Sequence, residues 1–340
     1  MKTYLKKNKK FVIFLIFLLI IPSTLTLINT DYYFMSPGPP YQWDIEIESQ
    51  NVFPFTGNLY QLTVRRDEAN YLVYLWSFID NRIDLYPREV ILPNGVTPDE
   101  LTQISLQNMK TSENIAIAVA LNELGYEIST TGDGVLVVGL LDDSPVKDKL
   151  IRGDLITSIN DLKIESTTEF IATLRTYKIG DEIKIGITRS INGVEDDIFV
   201  TTNLIEHVEY EGEPMVGFLA STVNESFEFP FNVDIKTGNV GGPSAGLMMA
   251  LNVYNLLTEE DITNSKVFAG TGTIEIDGSV GPVGGVKQKV IAAKKAGAEV
   301  ILVPVANYDD AKSYQDASTK IVPVDSFEEA LEVILNHSSS

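Results

Sequence analysis

The period of the apolar positions changes several times along the C-terminal third of the chain. "FNVDI" (231–235) alternates as a strand, a helical spacing sets in at Ser244, and "VFAGTGTI" (267–274) again reads as a strand. Residues 286–297 carry helical spacing, "EVILVPV" (299–305) is an apolar strand run, and 326–335 is a final helix. Such alternation predicts an α/β layered domain over 204–336. Upstream, "GNLYQLTVRR" alternates as a strand, while "NYLVYLWSFID" and "TPDELTQISLQNMKTSENIAIAVALNELG" are spaced as helices. The second helix opens on a Thr97-x-x-Glu100 capping box. "MSPGPPYQW" marks residues 31–52 as a linker, leaving 53–126 as a separate strand and helix region.

Residues 127–203 have a different texture, with short strands, turns and one amphipathic helix. "GVLVVGL" (134–140) is a strand, and "DSPVKDKLIRGDLITSIND" (143–161) holds a turn, a short helix, the Gly153-Asp154 turn and a strand. "TTEFIATLRTY" (167–177) is the helix and "GDEIKIGITR" (180–189) alternates again. This order, with the wording "SPV…L..GD.I..IN", resembles a mostly-β PDZ domain of the bacterial protease-associated kind. The resemblance implies that a peptide is added as a strand and its C-terminal carboxylate held by backbone N–H groups. The peptide-binding loop would be Gly132-Asp133-Gly134, leading into Val135 and Leu136. Packing of this domain against a neighbour, without ligand, is the alternative.

Charge sharpens the picture at the N-terminus. Lys2, Lys6, Lys7, Lys9 and Lys10 precede "FVIFLIFLLIIPSTLTLI" (Phe11–Ile28), which has no charged residue. A helix of that length would span about 27 Å, close to a hydrocarbon core. The lysines would keep its start in the cytoplasm and leave residues 30–340 outside, so a retained transmembrane anchor over 1–30 is expected, with a cleaved signal peptide as its rival. Beyond the first ten residues the chain has 21 basic and 47 acidic residues, a balance that repels nucleic acid and anionic lipid. Cysteine is absent, which excludes thiol catalysis, disulfides and cysteine-ligated zinc. Neither a metal nor a cofactor is expected.

The chemistry centres on "GNVGGPSAGLMMAL" (238–251). Its Gly242-Pro243-Ser244-Ala245-Gly246 fits the G-x-S-x-G nucleophile elbow of esterases. That elbow needs a histidine downstream, and the chain has only His207, upstream, and His337, in the tail. A lysine can replace the histidine if burial strips it of water, because its ordinary pKa of about 10.4 must fall towards 7. "GPVGGVKQKVIAAKKAG" (281–297) offers Lys287 just after Gly284-Gly285-Val286, near the start of an apolar-rich helix and on one face with Val290 and Ile291. A helix N-terminus also disfavours positive charge. Lys289, about 200° around the helix, is the competitor.

"GGPSAG" followed by "TGTIEIDGSVGPVGGVKQKVIAAKKAGAEVILVP" resembles the proteolytic domain of the Lon proteases. The family's P-S-A-G serine corresponds to Ser244, and its P-V-G-G-hydrophobic-K lysine is matched to Lys287. The T-G-x-I threonine that contacts the lysine maps to Thr271. The position before the P-S-A-G motif is Gly242, so no side chain helps there, as in the PDZ-bearing extracytoplasmic branch. "NMKTSENIAIAVAL" (108–121) resembles the M-K-x-S helix early in Lon proteolytic domains, which would make 53–126 the first half of that fold and the PDZ domain an insertion. The resemblance implies a Ser244–Lys287 dyad, an oxyanion held at the start of the Ser244 helix, and a hexameric ring.

No G-x-x-x-x-G-K-[ST] phosphate loop occurs. The sequence therefore reads as a membrane-anchored, extracytoplasmic, ATP-independent serine endopeptidase that cuts unfolded or extended protein segments selected by a PDZ domain. A catalytically inactive PDZ scaffold at the membrane and a serine esterase are its rivals.

Overall fold

Local signals set the longest helix. Thr97 Oγ1 accepts the Glu100 N–H (3.2 Å), and Glu100 Oε2 accepts the Thr97 N–H in return (2.7 Å), so both halves of the capping box form ahead of Pro98–Glu123. The computed structural model of the chain describes residues 9–48, 51–92, 97–141, 144–191, 194–206, 214–238, 240–316 and 319–338. His207 and the lysines at 2, 6 and 7 lie outside them.

Up to residue 126 the main elements are α1 (Lys9–Leu25), β1 (Asn29–Pro37), β2 (Asp44–Ile47), β3 (Asn58–Gln61), β4 (Val64–Asn70), α2 (Tyr71–Ser77), β5 (Asp84–Pro87) and α3 (Pro98–Glu123). Then come β6 (Val135–Leu140), β7 (Leu155–Ile159), β8 (Leu162–Lys163), α4 (Thr167–Leu174), β9 (Glu182–Ile191), β10 (Val194–Asn203) and β11 (Phe218–Thr222). From residue 231 the chain forms β12 (Val233–Lys236), α5 (Gly246–Leu257), β13 (Val267–Gly270), α6 (Val286–Lys295), β14 (Val300–Pro304), β15 (Lys320–Val324) and α7 (Phe327–Ser338).

These elements sort into two units, residues 1–126 with 231–340, and residues 127–230. The first unit is built on a parallel sheet in the order β15-β14-β13-β3. Every residue of β14 is buried, which is why its sequence is an unbroken apolar run instead of an alternating one. β3 comes from the segment before residue 126, so this sheet joins both ends of the chain. A three-stranded antiparallel sheet, β4-β1-β5, leaves β4 at an edge. Residues 31–52, expected to be a linker, instead supply β1 and β2, the latter paired with β12.

The second unit has the sheet order β10-β9-β7-β6-β11, with β8 on β7. Its core is aliphatic, with Val135, Val137, Ile156, Ile183, Ile185 and Ile187 all buried. The buried Asp154 of the Gly153-Asp154 turn takes two 2.7 Å bonds from Arg189. The compact unit runs on from the expected end at 203 to 230, because β11 pairs antiparallel with β6.

The N-terminal expectation is also shortened. α1 ends at Leu25, its 17 residues reaching about 26 Å. Three residues on, Asn29 begins β1. Among the described residues no helix is long and apolar enough to cross a membrane.

Candidate active site around Ser244

Ser244 sits where the chain turns from β12 into α5. Gly242 holds φ at +92°, a conformation that side chains strain, and its N–H donates to Ser105 O on α3 (2.8 Å). Pro243 opens the single 3-10 turn Pro243–Ala245, and its carbonyl accepts from Ser112 Oγ, also on α3 (3.1 Å). The Ser244 carbonyl accepts from Gln61 Nε2 (3.1 Å), Thr271 Oγ1 (3.0 Å) and the Gly272 N–H (3.1 Å). Backbone position is thus fixed from α3, β3 and the loop after β13, while the Ser244 side chain stays half-buried. Ala245 is buried at the helix entry. At Gly246 a Cβ would lie 2.6 Å from Ile274 Cγ2 and 2.8 Å from Ser112 Oγ, so only glycine lets α5 approach this closely.

The lysine beside Ser244 is Lys289. Its Nζ lies 3.0 Å from Ser244 Oγ and donates to Thr271 Oγ1 at 2.9 Å. Lys289 is 3% exposed and Thr271 fully buried. Burial alone pulls the Lys289 pKa from its ordinary value down to about 7. Lys287, the expected base, points elsewhere and donates to Asp84 Oδ1 at 2.7 Å, with Gln288 Nε2 holding Asp84 Oδ2 at 2.6 Å.

The reason lies in which stripe of α6 is buried. Val286, Val290 and Ala293 pack on the parallel sheet, and Lys289 falls on the same i, i+3, i+4, i+7 stripe. The stripe through Lys287 continues to Ile291, Lys294 and Lys295 and is half-buried to exposed. That four-position pattern was readable in the sequence. Of the two residues that hold the backbone of 243–244, Ser112 is the serine of the M-K-x-S stretch, which the sequence flagged without giving it this role, and Gln61 carries no motif that would have singled it out.

Gly285 enters α6 at φ +68°, and a Cβ there would meet Met35 Sδ at 2.6 Å and Val64 Cγ1 at 2.8 Å. A Cβ at Gly284 or Gly242 would meet only open space. Both line a cleft of about 740 Å³ that holds Ser244 and Lys289, with Val64, Arg66 and Glu68 of β4 and Leu101 and Ser105 of α3 around it.

His337 is not part of this cleft. It stands edge-on to Phe268, with Nε2 3.6 Å from Glu299 Oε2, so the histidine that an esterase elbow requires is not at Ser244. The tail is docked as well, through Ser338 Oγ donating to Ile262 O (2.7 Å).

In the second unit the expected peptide loop is occupied by the chain itself. The Asp133 N–H donates to Val223 O (2.8 Å), the Gly134 N–H to Glu165 O (3.1 Å), and the Val223 N–H to Gly134 O (3.0 Å). A Cβ on Gly132 would lie 2.5 Å from both Glu165 O and Thr222 Cγ2. Val135 and Leu136 pair with Thr222 and Ser221.

A serine hydroxyl in hydrogen-bond reach of a lysine amine that is half neutral near pH 7 is the geometry of an activated nucleophile. Residues 230–337 match the Lon protease (S16) C-terminal proteolytic domain, and residues 122–202 match the PDZ domain. Both domains are present in this chain. Among curated proteins, the Lon protease of Campylobacter concisus is 36% identical over 116 residues, 33% of this chain and 14% of that protein. The Archaeal Lon protease of Halobacterium salinarum is 33% identical over 155 residues (44% and 22%), and the Lon protease of Flavobacterium johnsoniae 26% over 246 residues (66% and 29%). The chain therefore spans 14 to 29% of the length of these three relatives. The solved PDZ domain of the SdrC-like protein from Listeria monocytogenes is 32% identical, covering 26% of this chain and 90% of that one, with a TM-score of 0.24.

Proposed function

We propose that this chain is a serine endopeptidase in which Lys289 is the general base for Ser244. The observation that carries the reading is the 3.0 Å approach of a buried lysine Nζ to the Ser244 hydroxyl. Neutral Nζ takes the Oγ proton as Oγ bonds to the scissile carbonyl carbon. The oxyanion is held by backbone N–H groups at the start of α5, where the helix end is positive. The ammonium then protonates the leaving amine, giving an acyl-enzyme. Water, deprotonated by the same amine, then adds to the acyl carbon; the C–Oγ bond breaks, the acid leaves, and the ammonium returns the proton to Oγ. Thr271 orients the amine through its hydroxyl.

The substrate is an extended segment. β4 is an edge strand that lines the cleft, so a peptide can add to its free side with the scissile bond over Ser244. Cleavage of an unfolded protein by the full-length chain, set against its Ser244→Ala and Lys289→Ala forms, tests this. Equal cleavage by all three would refute it. The reaction runs without nucleotide, so added ATP should leave the rate unchanged.

The lysine-flanked apolar N-terminus supports a further proposal, that the body works outside the cytoplasm beside a membrane. Extraction from membranes by alkaline carbonate, against detergent, tests the attachment. Native mass spectrometry reads whether the chain forms the ring that the resemblance implies.

A further inference from the structure

We propose that β11 is a built-in occupant of the peptide groove in the second unit, which a substrate segment must displace. The inference rests on reading that unit as the substrate-selecting module. A peptide joins such a domain by pairing with a free sheet edge beside a helix. Here that edge is β6, and the helix is α4. Residues 218–222 lie on the edge, antiparallel, with Ser221 opposite Leu136 and Thr222 opposite Val135. They also touch the helix: the Phe218 and Phe170 rings are 5.5 Å apart, and Thr222 Oγ1 accepts the Thr167 N–H at 3.0 Å. The residues matching a PDZ domain end at 202, so this strand is an addition to that domain.

The middle of the occupant faces solvent. Leu219 is 58% exposed, and Ala220 and Ser221 are exposed too. Strand β9 of the same sheet buries Ile183, Ile185 and Ile187 completely. Exchanging β11 for a peptide replaces one backbone ladder by another, so little is lost beyond the advantage of tethering. A tethered strand competes at an effective concentration on the order of millimolar, which weakens the apparent affinity of any incoming peptide. The groove selects segments that imitate its occupant, with an aromatic residue four positions before a threonine or serine.

The test uses the full-length chain with Ser244→Ala, which cannot cleave by the proposed route, so binding is read apart from the dyad. The probe is fluorescein-labelled Phe-Leu-Ala-Ser-Thr-Val with a free carboxylate, followed by anisotropy. Because the chain has no cysteine, Leu136→Cys with Ser221→Cys creates a single pair that can be oxidised across the strands. The oxidised protein should bind at least tenfold more weakly than the same protein reduced. Equal behaviour of the two forms, whether both bind or neither does, overturns the proposal. Phe218→Ser with Thr222→Val removes both contacts to α4 and should tighten binding about tenfold over the parent; unchanged binding by this variant counts against displacement.

Discussion

Lys289 Nζ stands 3.0 Å from Ser244 Oγ, whereas Lys287, two residues earlier on the same helix, is bound 2.7 Å from Asp84 Oδ1. Two residues turn a helix by about 200°, so two adjacent lysines of one motif face opposite environments. Lys289→Ala should lower peptide cleavage by about 10²- to 10⁴-fold, the usual worth of a general base. Lys287→Ala should keep activity within about tenfold of the parent. The reverse ranking in a steady-state assay would remove Lys289 from the mechanism.

The lowered pKa of Lys289 sets two pH effects. Activity should rise with pH through about 7, as the amine becomes neutral. Lys289→Arg should be inactive across this range because a guanidinium does not deprotonate. A profile flat from pH 5.5 to 8.5, with chemistry limiting, would argue against the amine as base.

Stability follows the same group with a definite sign. Between about pH 7 and the ordinary lysine value near 10.5, the unfolded chain holds a proton at residue 289 that the folded chain has released. Folding stability from this group therefore rises with pH across that window, and the penalty is complete below about 7. Lys289→Met should raise Tm most at pH 6 and least at pH 10.5. Thermal unfolding of both proteins across that range checks it.

Thr271 links the pair, receiving Lys289 Nζ and donating to Ser244 O. Thr271→Val removes both bonds in nearly the same volume and should cost about 10- to 100-fold in kcat, as for one or two lost hydrogen bonds. Thr271→Ser should recover most of it. If valine is as active as serine, the hydroxyl has no part in placing the amine.

A fragment of residues 231–340 should not unfold cooperatively. It lacks β3, which pairs with β13, and α3, which holds the backbone at 242 and 243. A sharp calorimetric transition for the fragment would show that the first segment is dispensable.

The sequence by itself determined most of the elements and singled out Ser244 as the candidate nucleophile. Period and caps placed α3, α6 and β14 within a few residues, because these depend on neighbours along the chain. The scarcity of histidine directed attention to a lysine, and the motif around Ser244 and Thr271 was legible at short range. What the tertiary structure decided was orientation. Whether Lys287 or Lys289 loses its water depends on which stripe of α6 the parallel sheet covers, and that sheet includes β3, more than 200 residues away in sequence. The pairing of β11 with β6 is of the same kind. Neither strand's pattern names its partner, since backbone pairing is indifferent to most side chains and is settled only when the fold brings two edges together.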